Sequence, residues 1–295
     1  MKLNESITGR TRLLGLLGNP VEHSVSPLLH NTVSTLLGID AVYIPLKVEK
    51  DKLGDMVEGL KAGNFTGFNV TIPFKEDILK YVDHITDEVR LVGCANTIRN
   101  SGGVLFASNT DADGFCRAFE EETGSGFLGK NVVILGAGGT ARSLAAKVAS
   151  EGACRLHIIN RTISKAKDIA LMIGTNYGLI CETEEFAHKM SLEKIIKGSD
   201  IIINTTSAGL YPEIEESPLD ENIHFDSRQI LYDVIYNPVK TKLLKQAESF
   251  GCRTANGLGM LFYQGILAYE TWMEMKIPDN ILRELYVEFS NYLFK

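Results

Sequence analysis

The chain is poor in the features that mark whole classes of protein. Its five cysteines, Cys94, Cys116, Cys154, Cys181 and Cys252, are odd in number, scattered and never spaced as CxxC. That argues against a disulfide framework and the common zinc sites, so no metal is expected and each thiol reads as a small, reduced, buried residue. No apolar run approaches bilayer-spanning length, and the opening MKLNESITGRTR lacks the apolar core of a secretory signal; a cytoplasmic protein without membrane contact is expected. Positive charge is in deficit, with 30 Lys and Arg against 37 Asp and Glu and a formal net charge of -7. This argues against nucleic acid as a partner and leaves room only for local basic pockets. Internal repeats and low-complexity segments are also absent. What remains is an ordinary globular composition, 44% hydrophobic and 23% charged, in 295 residues. That length exceeds the usual single core, so two domains, or one with a long insertion, are expected.

In the first third, apolar runs suited to buried strands, RLLGLLG at 12–18, AVYIPLKV at 41–48 and GFNVTI at 67–72, alternate with helical periodicity at 27–37 and 51–62. A parallel or mixed sheet covered by helices follows from that alternation. TIRNSGGVLFA reads as a hairpin, and DADGFCRAFEEETG as a helix after it. From Lys130 the pattern becomes more regular: NVVILGAGG, a helix through Ala149, RLHIINR, another helix, a short strand near 178–182, then SDIIINTT and QILYDVIYNP. Branched-aliphatic strands alternating with helices indicate a Rossmann-type, doubly wound nucleotide domain. Helical segments at 258–275 and 279–293 close the chain and are expected to return to the first domain, while the acidic 212–222 reads as a surface loop.

VVILGAGGTARSLA places Gly136, Gly138 and Ala141 at the dinucleotide-fingerprint positions: a tight turn, a close backbone approach for pyrophosphate, and close helix-on-strand packing. The helix start beyond it offers unpaired N–H groups and a positive dipole end. After the next strand, where an NAD site usually presents a carboxylate, the chain reads Asn160, Arg161, Thr162 and then Lys165. A guanidinium, a hydroxyl and an ammonium suit a 2′-phosphate and favour NADP. A solvated helix start capped by Thr162 is the plainer alternative, but two cations sit poorly there without an anion.

In GFNVTIPFKEDI, Pro73 reads as a first-turn helix proline, which puts Lys75 where the helix dipole disfavours a cation. Taken alone, a solvated lysine offset by Glu76 and Asp77 is the simpler reading. Ser24 and Ser26 precede a helix expected to begin at Pro27; Ser26 would pass as an N-cap, and two hydroxyls there would also hold a carboxylate. Asn69 and Thr71 alternate along one strand end and share a face, and Asn96 and Asp111 lie at turns. Together with Lys75 they would form a ring of donors and acceptors suited to a polyhydroxylated ligand.

The runs HSVSP, FNVTIPFK, VGCANTI, NTDADGF, GAGGTAR, NRT, NTTSAG, YNP and NGLGMLFYQG, in this order, resemble the shikimate dehydrogenase family over essentially the whole chain. The resemblance implies reversible NADPH-dependent reduction of 3-dehydroshikimate to shikimate, on the route to chorismate and the aromatic amino acids. It implies a substrate domain of residues 1–111 with 258–295, and an NADP-binding Rossmann domain of residues 112–257. Lys75 and Asp111 match the family's catalytic pair. Ser24 and Ser26 match carboxylate-binding hydroxyls, and Asn69, Thr71, Asn96, Gln264 and Tyr236 match the other substrate contacts. Gly136, Ala137, Gly138, Gly139 and Thr140 match the phosphate loop, and Asn160, Arg161, Thr162 and Lys165 the adenosine-phosphate site. Val234, Gly257 and Asp87 fall at positions placed near the nicotinamide. Departures are Lys165 where arginine is common, Ala112 where glycine follows NTD, and Cys94 at a position usually small. A quinate/shikimate dehydrogenase using NAD and a non-catalytic sensor of the pathway's metabolites are the alternatives. The sequence does not fix the oligomeric state and is compatible with a homodimer.

Overall fold

The computed structural model describes residues 7–293, so Met1 to Ser6 of the opening segment lie outside the described residues. The chain packs into two compact units, Met1–Thr110 with Gln264–Lys295, and Asp111–Tyr263.

The first unit begins β1 (Arg12–Gly18), α1 (Ser26–Leu36), β2 (Ala41–Lys47), α2 (Leu53–Ala62), β3 (Gly67–Val70), β4 (His84–Ile85), α3 (Asp87–Val92), β5 (Thr97–Ser101) and β6 (Val104–Ser108). Its six-stranded sheet runs β2-β1-β3-β5-β6-β4. Strands β2, β1 and β3 are parallel, β5 is antiparallel to both β3 and β6, and β4 pairs parallel with β6. Alternation along β3 decides what faces what. Phe68 and Val70 join Leu17, Ile98 and the α2 residues Leu53, Val57 and Leu60 in one core. Asn69 points to the opposite face, where its amide meets Tyr43 of β2.

The second unit comprises α4 (Asp111–Thr123), β7 (Asn131–Leu135), α5 (Gly139–Ser150), β8 (Arg155–Ile159), α6 (Ile163–Tyr177), β9 (Cys181–Glu184), α7 (Lys189–Lys197), β10 (Ile201–Asn204), β11 (Ile230–Asp233), α8 (Lys242–Ser249) and β12 (Arg253–Ala255). Its sheet runs β12-β11-β10-β7-β8-β9, parallel throughout. Successive strands grow outward from β7 to β8 and β9, then return to its other side at β10. The carboxyl ends of β7 and β10 therefore flank the switch point where such sheets bind ligands. Two helices follow: α9 (Leu258–Met273), whose first residues pack with this unit and whose remainder packs with the first, and α10 (Asp279–Leu293) in the first.

Several expectations need correction. No α-helix opens at Pro73: residues 71–76 form turns, and only a 3-10 turn, Asp77–Tyr81, follows. The cause is visible in the hydrogen bonding. The Lys75 carbonyl accepts from the Ala95 N–H (2.8 Å) rather than from a residue four further on. The dipole argument about Lys75 therefore falls. Ser26 is not an N-cap: Val25 holds that place without a side-chain cap, and α1 starts at Ser26 with Pro27 in its first turn. The strand expected near 178–182 is Cys181–Glu184, because α6 runs on to Tyr177. Cys154 is exposed in the turn before β8, and Cys181 is half-buried, whereas Cys94, Cys116 and Cys252 are buried. Residues 212–222 carry neither helix nor strand. No helix among the described residues is long and apolar enough to cross a membrane.

Candidate active site

Lys75 is positioned from both sides along the chain. Phe74 before it is fully buried in the core with Ile78, and its own carbonyl is tied to Ala95, the neighbour of Asn96. The backbone is thereby fixed while the Lys75 side chain stays half-exposed.

Asn69, Asn96 and Gln264, from three distant segments, share one hydrogen-bond network. Asn69 Nδ2 donates to the Asn96 carbonyl (3.0 Å) and to Thr97 Oγ1 (3.2 Å). Asn96 Nδ2 donates to Gln264 Oε1 (3.3 Å) and Thr110 Oγ1 (3.0 Å), and Asn96 Oδ1 accepts from the Thr110 N–H (2.8 Å). Thr110 Oγ1 in turn donates to the Gln264 carbonyl (2.9 Å). These polar groups are satisfied within the fold, which makes the arrangement rigid. Thr71 stands just past β3, half-buried, with its N–H on the Leu17 carbonyl (2.8 Å). Ser24 Oγ accepts from the Ser26 N–H (3.3 Å), and Ser26 is buried at the start of α1. Asp111, next in the chain after Thr110, opens α4 and is 5% exposed. The two family departures beside these residues, Cys94 and Ala112, are both buried, where small side chains pack.

In the second unit the turn after β7 holds Gly136 at φ 107, a conformation that side chains resist, and a Cβ there would lie 2.5 Å from Thr205 Oγ1. Gly138 is the exposed N-cap of α5, with open space where a Cβ would be. Ala137, Gly139 and Thr140 are half-buried around it, and the first turn of α5 carries no acidic residue. Backbone N–H groups and the helix dipole are thus available to an anion, and no carboxylate on that turn opposes it. After β8, Asn160 Nδ2 donates to the Thr162 carbonyl (2.9 Å), and Thr162 is the N-cap of α6 but makes no side-chain cap bond. Arg161 and Lys165 are exposed, and among the described residues neither is in an ion pair. Both features fit a bound phosphate better than a self-capped helix start.

Val234 and Gly257 are brought together: the Gly257 N–H donates to the Ile235 carbonyl (3.1 Å), and a Cβ on Gly257 would fall 1.9 Å from the Val234 oxygen. Tyr236 is half-buried, and burial pushes its phenol up. Asp87 opens α3 in the first unit, exposed and paired with Arg90 (2.5 Å).

Sequence reasoning missed a buried polar knot beneath Val234 and Tyr236. Asp233 is fully buried and accepts from Asn204 Nδ2 (3.0 Å), the Ile235 N–H (3.1 Å) and Thr241 Oγ1 (2.7 Å). Asn204 Oδ1 accepts from the N–H and hydroxyl of Thr206. Burial pushes the Asp233 carboxyl up to about 6, against the three donors. The only sequence signal was an acidic residue closing an aliphatic strand, one position short of the assigned Val234.

A family model for the shikimate dehydrogenase substrate binding domain matches residues 16–98, and one for shikimate / quinate 5-dehydrogenase matches residues 119–235. A curated relative from Alkaliphilus oremlandii, a shikimate dehydrogenase (NADP(+)), is 41% identical over 278 residues, 94% of this chain and 97% of its own. The crystal structure of shikimate 5-dehydrogenase from Listeria monocytogenes, in complex with shikimate and NAD, aligns with a TM-score of 0.89 at 36% identity, covering 96% of this chain and 99% of that one. A shikimate dehydrogenase in complex with NADP+ aligns with a TM-score of 0.86 at 36% identity, covering 96% of each chain. Matches at this identity over nearly the full length, together with the two family models, establish that this chain belongs to the shikimate dehydrogenase family.

Proposed function

We propose that this chain catalyses the reversible NADPH-dependent reduction of 3-dehydroshikimate to shikimate. The observation that carries the reading is the network joining Asn69, Asn96 and Gln264 beside the backbone-anchored Lys75. It supports a preorganised polar surface for a small polyhydroxylated acid, with Ser24, Ser26 and Thr71 as further contacts. Tyr236 and Asp111, in the second unit, take the roles their positions in the family pattern imply.

Reducing a ring ketone to a secondary alcohol requires a hydride at carbon and a proton at oxygen. NADPH, when bound, supplies the hydride. Lys75 Nζ stabilises the negative charge that develops on the ketone oxygen and passes it the proton; in the oxidative direction it receives the hydroxyl proton. Asp111 orients the ammonium. Residues 136–140 would hold the pyrophosphate at the start of α5, Arg161, Thr162 and Lys165 would hold the 2′-phosphate, and Val234 and Gly257 would face the nicotinamide.

The Listeria structure contains NAD, so the fold does not demand a 2′-phosphate. The feature favouring NADP here is local: Asn160 stands where an NAD site places a carboxylate, and two unpaired cations follow it. Lys75→Ala tests the assignment of the proton donor. Turnover should fall about a hundredfold or more with a smaller change in the shikimate KM. Near-normal turnover in a folded variant would overturn it.

A further inference from the structure

We propose that Tyr43 is a positioning residue for shikimate binding: its hydroxyl anchors Asn69 so that the asparagine meets the ligand as a hydrogen-bond acceptor. The inference rests on Asn69 being a substrate contact. It goes beyond that reading by assigning a residue that does not itself touch the ligand.

The hydrogen bonds that Asn69 makes within the fold decide what it can offer a ligand. Both Nδ2 hydrogens of Asn69 are used within the fold, on the Asn96 carbonyl and on Thr97 Oγ1. Thr97 Oγ1 spends its own hydrogen on Asn96 Oδ1 (2.9 Å), so toward Asn69 it accepts. Tyr43 donates its hydroxyl to Asn69 Oδ1 (2.9 Å). An amide has two donors and two lone pairs, so a single lone pair on Oδ1 is left over. Asn69 can therefore accept from a substrate hydroxyl but has no hydrogen to offer one. Flipping the amide would set Oδ1 against the Asn96 carbonyl, two acceptors face to face.

Tyr43 is itself held on every side. It lies on β2, the edge strand, so its outward backbone groups lack a neighbouring strand, and Asn31 of α1 takes both: Oδ1 accepts from the Tyr43 N–H (2.8 Å) and Nδ2 donates to the Tyr43 carbonyl (3.0 Å). Its ring stacks on His30 with centroids 4.3 Å apart, and Trp272 lies 6.0 Å away. A buried side chain clamped through backbone, ring and hydroxyl is suited to fixing its neighbours: the hydroxyl donates to Asn69 Oδ1, and the Ser26 side chain approaches the same phenol from α1.

Tyr43→Phe removes one oxygen and retains the stack. The experiment measures shikimate and NADP+ kinetics for the wild type, Tyr43→Phe, Asn69→Ala, the double variant, and Tyr269→Phe as a control that loses a buried phenol bonded to Ser34 (3.0 Å) instead. Tyr43→Phe should raise the shikimate KM about five- to tenfold, as loss of one buried hydrogen bond does, with kcat and the NADP+ KM unchanged. In the Asn69→Ala background its effect should be much smaller than in the wild type, because the main atom it anchors is gone. Tyr269→Phe should leave the shikimate KM at the wild-type value. If Asn69→Ala raises KM while Tyr43→Phe does not, or if the two effects add, the positioning role is overturned and the site reading stands. If Asn69→Ala leaves KM unchanged, the assignment of Asn69 fails, and the role of Tyr43 with it.

Discussion

His30 gives the fold a pH dependence that can be measured without substrate. It is fully buried on α1 between Tyr43 and Trp272, and among the described residues neither ring nitrogen has a hydrogen-bond partner. Desolvation pushes its pKa down from 6.5 to about 3, and the nearby Asn69 side chain acts in the opposite direction without offsetting it. The native unit keeps His30 neutral while the unfolded chain protonates it. Its contribution to stability is therefore fully present above pH 6.5 and is lost as pH falls toward 3. At 1.36 kcal/mol per pH unit, acidifying from 7 to 5 costs about 2 kcal/mol. With a urea slope near 2 kcal/mol per molar, the midpoint drops by about 1 M. The reporter is built in: the chain has a single tryptophan, Trp272, in the same unit and 5.2 Å from the imidazole. Glu22, lowered chiefly by its own backbone N–H, and Asp77, lowered by Lys80, lose their protons below this window. Urea unfolding followed by Trp272 fluorescence should show a midpoint drop from pH 7 to 5 about 1 M larger in the wild type than in His30→Phe, which keeps the stack on Tyr43 and loses the titrating ring. Parallel profiles for the two proteins would show that His30 is not the source of the pH dependence.

Two further predictions concern the second unit. Arg161→Ala should raise the KM for NADP+ about ten- to a hundredfold, the cost of a charge-assisted contact, and leave the KM for NAD+ unchanged; equal effects on both cofactors would remove Arg161 from the phosphate site. Asp233 has the opposite pH sign to His30, since its folded pKa of about 6 lies above 3.8. Its contribution is fully present below pH 3.8 and lost as pH rises through 6, about 3 kcal/mol in all. Hydrogen exchange in β10 and β11, corrected for intrinsic pH dependence, should show this loss in the wild type and not in Asp233→Asn; an unaltered slope in the variant would contradict it.

Legibility in the sequence followed the physics of each segment. Strands β7 and β10 are runs of buried aliphatics, β11 is fully buried and opens on Ile230 and Leu231, and β5 and β6 flank a Ser-Gly-Gly turn, so local composition was enough to locate them. The nucleotide loop was legible because its glycines answer to backbone geometry at one turn. The segment around Lys75 was misread because its conformation is set by Ala95 and by burial of Phe74, partners that local periodicity does not reveal. The short amphipathic helices α7 and α8 and the three-residue β12 were not marked, since each owes its stability to packing against the sheet. Asp233, Tyr43 and His30 carried no motif; their importance comes from burial, and that only the fold supplies.

Initial rates of cofactor reduction with shikimate and with quinate, each with NADP+ and with NAD+, decide between the shikimate and quinate activities in one experiment. The pair of shikimate and NADP+ should exceed the other three in kcat/KM by about tenfold or more, since a missing phosphate contact or a misplaced hydroxyl each removes that much. Quinate with NAD+ matching or surpassing it, or shikimate binding with no cofactor reduced, would exclude an NADP-dependent shikimate dehydrogenase.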